Sequence, residues 1–159
     1  MPVAAGDYLP GVIIRQLKKG TSDATIVKGA VLYESSNLWT ICPATANQKG
    51  PFGVCARTPA TTDSTVDVIR DGIVYVTAGG TIQPGQYVQN DPNTAGQVVA
   101  FVSSAISTTP TQADVQAARD DYLRVIGVYE GHENENSLNN PPTAAASTDV
   151  IRIRFGIGG

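Results

Sequence analysis

His132 is the one histidine of the chain, and it stands among acids, with Glu130, Glu133 and Glu135 around it. A histidine serves as a general base when a nucleophile lies on one side of its ring and an orienting acid on the other. No nucleophile motif adjoins His132, so a solvated loop histidine is the simpler reading. The three glutamates could ligate a hard cation with help from carbonyls, but their spacing does not match a Ca²⁺ loop of the EF-hand kind. Asp114, Asp120 and Asp121 fall on an expected helix, where they read as a cap and a solvated face. Cys42 and Cys55, the two cysteines, lie on or beside expected strands. They could pair, although two small buried hydrophobes is the favoured reading. No G-x-x-x-x-G-K-[ST] phosphate cradle occurs, and Gly79-Gly80 precedes no helix. Trp39 with Tyr33 could stack on a sugar, yet strand aromatics more often belong to a core or an interface. The expectation is a protein that is not an enzyme, with no cofactor, no metal and no small-molecule substrate.

The elements that carry these residues are written twice. Phe52-Gly53-Val54 is followed by Val66-Asp67-Val68-Ile69-Arg70, and Ile126-Gly127-Val128 by Thr148-Asp149-Val150-Ile151-Arg152. Upstream of each stands a glycine turn leading into a strand: Lys28-Gly29-Ala30-Val31-Leu32-Tyr33 and Pro84-Gly85-Gln86-Tyr87-Val88-Gln89. A second strand follows near Trp39 or Val98. Two copies are too few for a solenoid and imply one pseudo-symmetric domain. The fold class is therefore mainly β: a small pseudo-duplicated β-sandwich or barrel-like domain with one short helix and an extended N-terminal arm. The arm spans residues 1–27. A single β-domain spans 28–159, with halves at about 28–77 and 82–157.

Within that frame, Leu38–Cys42 should pair with the strand at Val31 as a hairpin. Asp71-Gly72 is ordinarily a hairpin turn. The repeat sets it opposite Ile153-Arg154 and so favours a kink or bulge inside one strand. Ile151, Ile153, Phe155 and Ile157 alternate with Arg152 and Arg154, so one face of the last strand should be buried. The copies diverge at about 103–123, an insertion in which Thr111 caps a helix over about 112–121 with Asp114 at its third position. Residues 130–148 read as an exposed loop.

The arm holds one apolar run, Val12-Ile13-Ile14, and reads as extended, with one strand at 11–16. Such termini are disordered unless tied down. One way to tie one down is strand addition to a partner's sheet. Residues 1–28 carry four basic and two acidic side chains, and the remainder seven and twelve, for a net charge of −3. An acidic body without a basic stripe argues against nucleic-acid binding. No run approaches the ~20 apolar residues of a membrane helix, and no signal peptide is visible. The chain is expected to be made in the cytoplasm. Its charged fraction of 16%, against roughly a quarter in typical domains, suits close packing against neighbours.

The order of these motifs resembles a known family. Phe-Gly-Val, Asp-Val-Ile-Arg-Asp-Gly-Ile-Val-Tyr-Val, Ile-Gln-Pro-Gly-Gln-Tyr-Val, Gly-Gln-Val-Val, Ile-Gly-Val and the terminal Asp-Val-Ile-Arg-Ile-Arg-Phe are similar to the steps of the small capsid decoration, or cement, proteins of tailed bacteriophages. The resemblance covers about residues 28–155; the insertion and the 130–148 loop depart from shorter members. It implies a structural virion protein on the outer capsid surface that bridges major capsid protein subunits, commonly as a homotrimer. Under that reading Tyr8, Leu9, Val12, Ile13, Ile14, Arg15, Lys18 and Lys19 of the arm would contact the shell. Two other readings compete with it. One is a surface carbohydrate-binding β-module using Trp39 and the tyrosines. The other is an enzyme built on His132 and the nearby acids.

Overall fold

Val66–Ile69 and Ile73–Val76 are two runs of β-favouring residues separated by Arg70-Asp71-Gly72. In the computed structural model, which describes residues 2–20, 26–45, 48–135 and 139–155, they form one bent strand, β5 (Thr65–Thr77). Gly72 has φ +103°, a conformation that side chains rarely adopt, and a Cβ there would press on Val12. The pairing steps from Ile13↔Asp71 to Ile14↔Ile69, leaving Arg70 as an extra residue. Asp-Gly is thus a bulge inside a strand and not a hairpin turn.

The bend divides one curled antiparallel sheet, a half-barrel, into two lobes. On the first half of β5 lie β1 (Ile13–Lys18) on one side and β4 (Phe52–Cys55), β2 (Val31–Ser35) and β3 (Leu38–Ile41) on the other. On its second half lie β9 (Val150–Phe155), β8 (Gly127–Gly131), β6 (Tyr87–Asn90) and β7 (Val98–Ala100). A parallel bridge carries each lobe round to its first strand, Lys19↔Trp39 in one and Ala78↔Val98 in the other.

The lobes match bond by bond. Gly20 N–H donates to Trp39 O, and Gly79 N–H to Val98 O. Gly29 N–H donates to Cys55 O, and Gly85 N–H to Tyr129 O. Cys42 N–H donates to Val31 O, and Phe101 N–H to Tyr87 O. Interior positions follow the same equivalence. Ile26, Leu32, Trp39, Cys55, Val66 and Val68 fill the first lobe, and Ile82, Val88, Val98, Tyr129, Ile151 and Ile153 the second; all are buried.

This pairing moves two boundaries of the repeat. β1 matches residues 72–77, so the duplication begins inside the arm and the strand expected at 11–16 is its first element. The two Asp-Val-Ile-Arg strings lie on or lead into equivalent strands but are slipped by three residues. Cys55 pairs with Val68 where Tyr129 pairs with Ile153, which equates Val66 with Ile151. Register follows the alternation of buried side chains, because a one-residue slip would turn every apolar group outward. Ile151, Ile153 and Phe155 are buried as the alternation requires, and Arg152 is buried as well; Ile157 lies outside the described residues.

The insertion holds α1 (Gln112–Arg124), with Thr111 and Asp114 forming a reciprocal capping box. The helix runs one turn past 121 because Arg124 anchors its end. The Arg124 guanidinium is buried, donates to Gln89 Oε1 at 2.7 Å and to Asp121 at 2.9 Å, and lies over the Phe101 ring.

Candidate functional site

The arm is tied to its own chain. Residues 6–9 run beside the second half of β5, with Gly6 N–H donating to Tyr75 O, Tyr75 N–H to Asp7 O and Leu9 N–H to Ile73 O. β1 then pairs along the first half. Lys28 Nζ meets Asp7 Oδ1 at 2.5 Å and lowers that carboxyl's pKa. What β1 presents outward is a short strip, apolar and basic on both faces, with Ile13 and Arg15 on one and Ile14 and Lys18 on the other. Ile13 is 47% and Ile14 40% exposed, Arg15 and Lys18 are exposed, and Tyr8 and Leu9, also exposed, precede β1 beside the second half of β5. Two expected contact residues point elsewhere. Val12 is half-buried against the main core. Lys19 is buried and gives its ammonium to Ala60 O, because its position closes the first lobe where Ala78 closes the second.

His132 is not free in solvent. Its Nδ1 lies 2.8 Å from Glu135 Oε2 and 3.2 Å from Tyr129 Oη, and its Nε2 lies 3.1 Å from Asp149 Oδ2. A carboxylate only accepts, so an acid at each ring nitrogen calls for the doubly protonated imidazolium. Burial opposes that charge, but the bonds to Glu135 and Asp149 outweigh it and raise the His132 pKa. Burial likewise opposes the Glu135 charge. Bonds from the His132 backbone and ring and from Thr143 override it and hold that carboxyl down at about 2. Tyr129 Oη donates to Thr143 O, and burial pushes its pKa up to about 12. The cluster thus pins His132, Glu135 and Thr143 to β8 and to the start of β9; of the exposed loop expected over 130–148, Glu130 and Gly131 belong to β8 and Ala145 is buried. Both ring nitrogens are engaged by acids on opposite sides, so the ring is placed to clamp a loop and the acids cannot converge on one ion. Among the described residues no group of three or more His, Cys, Asp or Glu is arranged to hold a metal.

The cluster is not legible as a unit in the sequence because its members come from separate places in the chain: Tyr129 on β8, Thr143 in the loop and Asp149 just before β9. Beside it, Glu130 bridges Arg154 at 2.6 Å and approaches Arg152 at 3.6 Å. These residues edge a groove of about 810 Å³ that Leu9, Ile73, Pro84 and Val128 also line.

Cys42 and Cys55 are buried free thiols, whose pKa burial raises to about 12 and about 11. Trp39 is 3% exposed inside the first lobe, with the Arg70 guanidinium over its ring, so it offers no face to a sugar. No helix among the described residues is long and apolar enough to cross a membrane. Comparison with protein-family models, with curated proteins and with solved structures finds no match.

Proposed function

We propose that this chain is a structural virion protein that binds the outer surface of an icosahedral phage head and cements neighbouring major capsid subunits. The observation that carries this reading is the outward strip of β1. Large apolar side chains, Ile13 and Ile14, stand exposed on a strand beside Arg15 and Lys18, and exposed apolar patches flanked by charge mark protein interfaces. The order of motifs along residues 28–155 supports the same reading. A cement needs a stiff body, buried area and complementary edges. The doubled lobes, locked through one shared strand, supply the stiffness. Assembly as a homotrimer would multiply weak shell contacts by avidity.

The test is co-sedimentation with mature heads of the phage that encodes the chain. Wild-type protein binds and raises the force at which heads burst. The Ile13→Asp/Ile14→Asp variant, changed only on exposed side chains, binds at least about tenfold more weakly, a loss of ~1.4 kcal/mol. Equal binding by the two proteins would refute the assignment of the strip.

A further inference from the structure

Because the lobes repeat one backbone, equivalent places on them can be compared directly. One such place is the corner where a glycine turn meets β4 or β8. It is Gly29 against Cys55 in the first lobe and Gly85 against Tyr129 in the second, with N–H to O distances of 2.8 and 2.9 Å.

In the first lobe the corner is filled by this chain's own residues 4–7. Asp7 pairs with Lys28 and a Cβ on Gly29 would collide with Ala5, while Gly6 N–H reaches across to Tyr75 O on the second half of β5 at 2.7 Å. Beneath it Val54 and Ile69 are 0% exposed. In the second lobe the same corner is open. A Cβ on Gly85 would meet nothing within 4 Å. Val128, in the place of Val54, is only half-buried, and Arg154, in the place of Ile69, is exposed. The groove of about 810 Å³ begins here.

We propose that this groove docks an extended peptide segment of a partner protein, small residues followed by an acidic one, seated against the Gly85 corner as residues 5–7 are seated against the Gly29 corner. Ile73, Pro84 and Val128 give an apolar wall that small side chains can approach closely. Arg154 stands ready for the acid as Lys28 does for Asp7. Glu130 takes its Nε and Nη2, and the Arg154 side chain remains 55% exposed. Arg152, buried at the groove's edge between Glu130 and Glu135 O, adds positive charge beneath it. A second copy is a poor occupant, since its residues 4–7 would have to leave their own first lobe. The site lies on the second lobe, apart from β1, and does not depend on the shell reading.

The probe is a synthetic peptide of residues 2–9 titrated into the isotope-labelled full chain and followed by amide NMR. Saturable shifts are expected at Gly85, Val128 and Arg154. Replacing Asp7 of the peptide by Asn, or Arg154→Glu in the protein, weakens binding about two- to fivefold, the worth of an exposed ion pair. Pro84→Lys, which copies Lys28, tightens it by a similar factor and keeps the test decisive should Arg154→Glu fold poorly. Three results would overturn the proposal. The first is no shift at those amides with millimolar peptide. The second is shifts at Gly29 and Cys55 instead, which would mean exchange with the chain's own segment. The third is a concentration-dependent mass that Arg154→Glu abolishes, which would make a second copy the occupant.

Discussion

The first lobe and the second share a backbone plan but are finished differently. The first is closed by short means: a two-residue Ser36-Asn37 turn with both φ positive, a buried Lys19 at its seam, and its own N-terminal residues across the Gly29 corner. The second carries longer connections, namely the α1 insertion and the 130–149 loop, and leaves the Gly85 corner open. The contrast separates what the fold requires from what can vary. Paired strands and alternating interior side chains are common to both lobes. Charge clusters, the helix and the groove belong to one.

The strongest way to break the equivalence is to cut into both cores. Ile153→Ala should cost about 2–5 kcal/mol, and Val68→Ala, at the matching position, about 2 kcal/mol for two lost methyl groups. Because β5 is common to both lobes, urea unfolding should remain a single transition in each variant. Two separate transitions would mean that the lobes are independent. A finer contrast is Gly29→Ala against Gly85→Ala. Both glycines have φ above +80°, so backbone strain of about 1–2 kcal/mol is common to the two. Gly29→Ala must also push Ala5 away and should cost at least about 1 kcal/mol more, an excess comparable to losing one hydrogen bond. It should also release the amides of residues 6–9 to faster exchange, whereas Gly85→Ala should not.

A smaller effect belongs to the second lobe alone. His132→Ala removes a charge-assisted clamp and should cost about 1–2 kcal/mol at mildly acidic pH. The sign follows from the shifts. The His132 pKa is raised in the folded chain, so its contribution is complete below the ordinary imidazole value and fades as pH rises through the folded one. The Glu135 pKa is lowered, so its contribution is complete above the ordinary carboxylate value and fades as pH falls toward about 2. Wild type and variant should therefore differ most near roughly pH 5–6. A difference that does not change with pH would contradict the clamp. Smallest is Thr111→Ala, about 1 kcal/mol for a lost N-cap. It should be read as faster exchange in the first turn of α1 with little change in global unfolding.

Much of the β-frame was legible because glycine turns and the Gly-Val step are local signals. Gly29 with Gly85, and Gly53 with Gly127, are matched in the pairing as they are in the text. The kink at Asp71-Gly72 is expected from a repeat match that the pairing moves by three residues, so the kink is present but not for that reason; the dipeptide alone reads as a hairpin. The Asp-Val-Ile-Arg identity misled by three residues, because burial and not residue identity sets register. β1 did not stand out as the counterpart of residues 72–77, because Ile13-Ile14-Arg15-Gln16-Leu17-Lys18 lacks alternation and its partner strand lies far along the chain. The His132 clamp and the groove were not legible either, as both are assembled from residues that only the pairing of β8 and β9 brings together.

Amide hydrogen exchange on the isolated full-length chain tests the central claim most directly: that the N-terminal segment is the first strand of a doubled frame and not a free arm. The amides of residues 14–18 that bond to β5 should be protected far above an unstructured tail, as are those of residues 73–77, their counterparts within β5. Exchange of residues 14–18 at the rate of an unstructured tail, with 73–77 still protected, would contradict it.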